Sequence, residues 1–171
     1  MVRSKIYIKD MVYGANDGII TTFAVVAGVT GGGLSTDVVL TIGLASLFAD
    51  GFSMAASDYL GSRSEEATRE SEGLECDTDH SPVTGALLTF GAFVVAGAIP
   101  LLPYLIAGRG DPLFLYAAVA TAAALAGVGV LRALVSQRPV PVSTLEMLAI
   151  GGIAALLAYG VGYQIHALTQ I

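Results

Sequence analysis

Residues 13–28 read Tyr13-Gly14-Ala15-Asn16-Asp17-Gly18-Ile19-Ile20-Thr21-Thr22-Phe23-Ala24-Val25-Val26-Ala27-Gly28. They form the centre of an apolar segment from Met11 to Gly32, and a run of about 20 such residues is what a helix needs to cross a hydrocarbon core of roughly 30 Å. Four more segments follow, from Val38 to Leu60, Val83 to Ala107, Leu113 to Leu134 and Leu145 to Leu168. Across all 171 residues 54% are hydrophobic and 13% charged, against about 25% charged in an ordinary soluble domain. So few charges cannot cover a water-facing surface. The sequence therefore predicts an all-α membrane protein, one transmembrane domain over residues 1–171 with five spanning helices near 11–32, 38–60, 83–107, 113–134 and 145–168.

The connections carry the punctuation of membrane-helix loops. Gly31, Gly32, Gly33 and Ser35 close the first helix, Gly108, Gly110 and Pro112 separate the third from the fourth, and Pro139 and Pro141 separate the fourth from the fifth. One connection, 62–81, is long and acidic. With the N-terminus in the cytoplasm, Arg3, Lys5, Lys9, Arg63, Arg69, Arg132 and Arg138 lie inside and only Arg109 lies outside. The positive-inside bias thus predicts a cytoplasmic N-terminus and acidic loop, with the C-terminus on the opposite side. No cleavable leader is read after the basic N-terminus. The formal charge of −6 comes without a basic patch, which argues against a nucleic-acid partner. The single cysteine, Cys76, excludes an internal disulfide, and neither CxxC nor HExxH occurs.

Of the 14 acidic residues, 12 lie at or before Asp79, so the polar chemistry belongs to the first two helices. An ionised side chain deep in a bilayer costs at least about 2.5 kcal/mol and persists where a cavity, a partner or an ion faces it. Asp17 is such a residue, with the amide of Asn16 and the hydroxyls of Thr21 and Thr22 beside it. The alternative is a helix that starts later and leaves Asp17 as an N-cap at the headgroups. On the second helix Asp50, Met54 and Asp58 stand at i, i+4 and i+8, stacked on one face over about 12 Å. Carboxylate oxygens suit hard divalent ions, and a thioether tilts the preference toward later first-row metals; the plain reading makes Met54 a gap filler and Asp58 an interfacial charge.

Gly14 with Gly18, and Gly28 with Gly32, are GxxxG pairs that permit close backbone approach and predict that the first helix packs against a partner. An odd helix count with its polar face on helices one and two suggests a two-fold dimer around that face. Pro100 and Pro103 predict a bend near the outer end of the third helix. Glu65, Glu66 and Glu70, with Glu72, Glu75, Cys76, Asp77, Asp79 and His80, are either a cytoplasmic metal-capturing set or a hydrated charged face.

The stretch 13–28 resembles the first-helix signature of the vacuolar iron transporter family. Ala49-Asp50-Gly51-Phe52-Ser53-Met54-Ala55-Ala56-Ser57-Asp58-Tyr59-Leu60 resembles its second-helix signature, and Ile99-Pro100-Leu101-Leu102-Pro103-Tyr104 is similar to its third helix. The resemblance implies a homodimer of five-helix subunits that moves Fe²⁺, and often Mn²⁺, out of the cytoplasm in exchange for protons, with Asp17 and Met54 on the translocation path at the dimer interface. Vacuolar members insert a glutamate-rich cytoplasmic metal-binding domain between helices two and three. Here Leu60 and Pro82 are too close for that domain, and no methionine lies between them.

The expectation is a proton-coupled exporter of divalent iron or manganese in a bacterial inner membrane or an organelle membrane such as the vacuole. It is not an enzyme and has no permanently bound cofactor; its partners are lipid, metal ions, protons and a second copy. Asp17 and Asp50 would supply oxygen ligands, Met54 a soft ligand and Asn16 a neutral oxygen. Asp58 and Thr21 would serve as path residues or proton carriers, and Glu65, Glu66 and Glu70 as metal-capturing residues. The alternative of a different class is a non-transporting metal sensor or dimeric scaffold. A third is an intramembrane aspartyl protease, but the one Gly-Xaa-Gly-Asp of the chain, Gly108-Arg109-Gly110-Asp111, falls in the connection between the third and fourth helices rather than within a span.

Overall fold

The computed structural model of the chain describes residues 2–74, 81–106 and 112–169. Its order is α1 (Val2–Gly31), α2 (Thr36–Ser71), α3 (Pro82–Gly97), a 3₁₀ turn (Ile99–Leu101), α4 (Leu102–Ile106), α5 (Leu113–Ser136) and α6 (Val140–Thr169). Among the described residues five stretches are long and apolar enough to cross a membrane, with α3, the 3₁₀ turn and α4 making one of them. Large apolar side chains such as Phe52, Leu87, Val95, Ile106 and Leu156 point outward on every side. On a water-soluble protein such surface would drive aggregation, whereas lipid accepts it. The chain is an integral membrane protein.

In lipid the hydrophobic effect does not hold helices together, so close packing must. α1 takes the centre and touches α2, α3, α5 and α6, and its glycines are what let the neighbours in. A Cβ on Gly14 would stand 2.5 Å from the Thr89 carbonyl oxygen, and one on Gly18 would run into the carbonyl of Phe93, so α3 lies directly on this part of α1. Toward the other end α6 closes on Gly31 through the Tyr159 carbonyl, and Gly162 abuts the backbone of Gly28 and Gly32. The GxxxG pairs thus serve α3 and α6 of the same chain rather than a second copy. Two apolar clusters fill the remaining space, one around Phe23, Val26, Leu47, Phe93 and Leu101, the other around Ile19, Leu125, Val128 and Met147.

Several helix ends differ from the expected ones. α1 begins at Val2, not near residue 11, so Asp17 is interior and no N-cap. α2 runs on to Ser71, and the first half of the expected acidic loop is helix. The physical reason is composition, because Glu65, Glu66, Ala67, Arg69 and Glu70 are strong helix formers. The intervening Ser64, Thr68 and Ser71 hydroxyls turn back onto carbonyls of their own helix. It stops at Gly73, whose φ of +70° makes the left-handed cap, with Gly73 N–H bonding Glu70 O and Leu74 N–H bonding Arg69 O. α6 begins at Val140 and includes Pro141 in its first turn, where the missing N–H has no partner to lose. The bend expected in the third span is the 3₁₀ turn that begins after Gly97 and holds Pro100.

Candidate ion path

Asp17 lies half-buried in the middle of α1, on the stripe that also includes exposed Tyr13 and partly open Thr21, Ala24 and Gly28. Asp50 is half-buried on α2, on the side of that helix that also holds buried Val39, Gly43, Leu47 and Gly51. The two helices pack so that the Asp17 and Asp50 carboxylates come within electrostatic reach of one another. Two negative charges repel strongly where water is scarce. A cation or a proton held between them relieves that repulsion.

Polar groups lie beside each aspartate. The Ser46 hydroxyl, one turn before Asp50, donates a short hydrogen bond to Asp50 Oδ2, which orients the carboxylate and leaves its other oxygen free. Asn16 Oδ1 is buried and has no hydrogen-bond partner, so an unsatisfied acceptor sits one residue from Asp17. Thr21 donates its hydroxyl proton to the Asp17 carbonyl oxygen at 2.8 Å, leaving the hydroxyl lone pairs available. Met54, one turn beyond Asp50, is half-buried and leans on the apolar cluster that contains Phe23 and Phe93.

Asp58 is placed differently. Its Oδ2 accepts a hydrogen bond of 2.9 Å from Thr89 on α3, and Thr89 is only 2% exposed. This bond ties α2 to α3 at the point where α3 also rests on Gly14. Glu65, Glu66 and Glu70 lie along the projecting end of α2, where Glu66 pairs with Arg63 at 3.3 Å. Among the described residues no group of three His, Cys, Asp or Glu side chains is gathered as a metal would need. Glu75, Cys76, Asp77, Asp79 and His80 lie outside the described residues.

Ser46 and Thr89 are the residues that the sequence did not single out. Ser46 stands at i−4 from Asp50, a spacing visible in the sequence. Thr89 has no such signal, since only the packing of α3 brings it to Asp58.

The profile of the VIT family matches residues 8–75 and 67–163. The chain is similar to "Vacuolar iron transporter 2" of Oryza sativa subsp. japonica, 24% identical over 217 aligned positions that include 94% of this chain and 88% of that protein. It is similar to "Vacuolar iron transporter" of Toxoplasma gondii, 44% identical over 66 residues, 39% of this chain and 22% of that one. "Vacuolar iron transporter 1" of Arabidopsis thaliana is 39% identical over 59 residues, 34% of this chain and 24% of that one. The two profile matches meet at the end of α2. The rice alignment is longer than the 171 residues of this chain, so the rice protein contains residues with no counterpart here.

Proposed function

The chain belongs to the VIT family, and from that premise we propose that it carries divalent iron, and manganese by the same path, out of the cytoplasm in exchange for protons. The observation that supports this reading is that α1 and α2, which pack on one another, each hold a half-buried aspartate within a spanning stretch, Asp17 and Asp50, close enough to interact electrostatically. The names of the relatives, vacuolar iron transporters, support the iron part of the reading.

In this reading the end of the bundle that holds the α1 N-terminus and the projecting end of α2 faces the cytoplasm. A metal ion arrives between α1 and α2 and displaces protons held by the carboxylates of Asp17 and Asp50. Asn16 offers a neutral oxygen, Ser46 orients the Asp50 carboxylate, and Met54 offers sulfur, which favours Fe²⁺ over Mg²⁺ or Ca²⁺. Return of protons from the far side neutralises the carboxylates and releases the metal. One pair of acids serves both ions, so no separate proton wire is required. A second copy completes the path. Asp17 and Asp50 remain partly open on the single chain, and a two-fold partner along α1 and α2 shields them from lipid.

The test is Fe²⁺ and Mn²⁺ uptake into sealed proteoliposomes with a pH gradient imposed in either direction. Transport that follows the proton gradient and disappears in Asp17→Asn supports the proposal. Metal binding without passage across the sealed membrane would identify a sensor and overturn it.

A further inference from the structure

The corner between α5 and α6 gathers two arginines around one carboxylate at the edge of the bundle. Arg132 Nη1 donates to Glu146 Oε2 at 2.8 Å, and Arg138 Nη1 stands 3.9 Å from Glu146 Oε1. Two guanidinium groups against one carboxylate leave a full positive charge over. The Arg138 side chain is 59% exposed and only loosely engaged, so it is the group free to meet a second anion.

Backbone hydrogen bonds and close packing brace the corner. Gln137 takes a left-handed conformation at φ 53°, the Arg138 N–H bonds the Ala133 carbonyl at 3.2 Å, and Ser143 N–H bonds Pro139 O at 3.2 Å. Gly129 lets the two helices close up beneath it, since a Cβ there would stand 2.8 Å from Thr144 Cα. Side chains fixed on such a base lose less freedom on binding than those on a loose loop.

The surroundings state what the anion is attached to. Leu131, Leu134, Val135, Val142 and Leu145 are all exposed around the arginines, on helices that span the bilayer. Aliphatic surface beside a guanidinium pair at a helix end fits acyl chains beneath a phosphate headgroup. Arginine matches phosphate oxygens through a fork of donors. We propose that the α5–α6 corner binds the headgroup of an anionic phospholipid through Arg138 and Arg132, with Glu146 as an internal competitor that tunes the affinity.

The test uses the purified full chain in a neutral detergent, titrated with phosphatidylglycerol, phosphatidylcholine or water-soluble glycerol phosphate, with thermal unfolding as the readout. Phosphatidylglycerol is expected to raise the unfolding midpoint saturably and phosphatidylcholine is not. Arg138→Gln should weaken the phosphatidylglycerol response about fivefold, the contribution of one arginine near an anionic surface. Arg138→Lys should recover most of it, and Glu146→Gln, which removes the competing carboxylate, should strengthen it. Arg63→Gln, with the same change in net charge on a different helix, should bind as the unmutated chain does. Equal responses from Arg138→Gln and the unmutated chain, or equal weakening by Arg63→Gln, would overturn the proposal. A midpoint shift from glycerol phosphate matching that of the lipid would overturn the assignment to lipid in favour of a free-anion site.

Discussion

At the scale of single residues, the proposed path draws on side chains in different settings although several share one chemical type. Asp17 and Asp50 lie within electrostatic reach of each other, whereas Asp58, of identical chemistry, is engaged by Thr89. Asp17→Asn keeps the shape and removes the charge, so metal uptake should fall to background while the protein still folds. Ser46→Ala removes the hydrogen bond that orients Asp50; loss of such an outer contact typically costs about 10–100-fold in metal affinity. We expect a raised KM for Fe²⁺ with Ser46→Ala, largely recovered in Ser46→Thr, as measured in uptake assays. Asp58→Ala acts on stability instead. It strands the buried Thr89 hydroxyl and should cost about 1–3 kcal/mol, seen as a lower unfolding midpoint, and Asp58→Asn should retain much of that stability because its carbonyl still accepts. The sequence indicated Asp17, Asp50 and Met54 through hydropathy and spacing. It placed Asp58 with them, and the bond from Thr89 to Asp58 was not legible there, because i+8 on one face is equally compatible with a path and with a helix-to-helix bond.

At the scale of elements, α1 is defined by its absent side chains. Gly18→Ala drives a methyl into the Phe93 carbonyl, and since backbone cannot swing aside as a flexible side chain can, overpacking of about 1–3 kcal/mol is expected. The same logic applies to Gly162, where α6 meets the backbone of Gly28 and Gly32. Gly91, with open space around its Cβ position, is the matched control, and Gly91→Ala should leave the unfolding midpoint unchanged or raise it slightly. The projecting end of α2 is a hydrated helix on which Glu65 and Glu70 are exposed. The triple change of Glu65, Glu66 and Glu70 to Gln is expected to alter uptake at saturating metal by less than about twofold, since surface charges are largely screened at physiological salt, with any effect confined to low metal concentrations.

At the scale of the molecule, the bundle leaves its carboxylate pair partly open on the surface of a single copy, a costly arrangement in lipid. The proposed two-fold partner removes that cost. It can be tested in a Cys76→Ser background: Ala24→Cys, on the stripe shared with Asp17, should give an oxidised dimer in membranes. Leu156→Cys, on α6 and 75% exposed, should not. Cross-linking through Leu156→Cys alone would place the contact elsewhere and refute the α1–α2 dimer.

The sequence by itself determined that this chain lives in a bilayer, that it crosses five times, and that its acidic chemistry is concentrated in the first two helices. Each follows from counting apolar length and charge along one dimension, and burying a charge in hydrocarbon is too expensive for those counts to mislead. Only the tertiary structure decided that Gly14 and Gly18 receive α3, that Gly28 and Gly32 receive α6, that Asp17 and Asp50 come within electrostatic reach, and that Asp58 is held by Thr89. The physical reason is that lipid and protein interior are nearly equally apolar. A hydropathy pattern therefore marks which residues leave water, but shape and backbone fit select the helix that each of them meets.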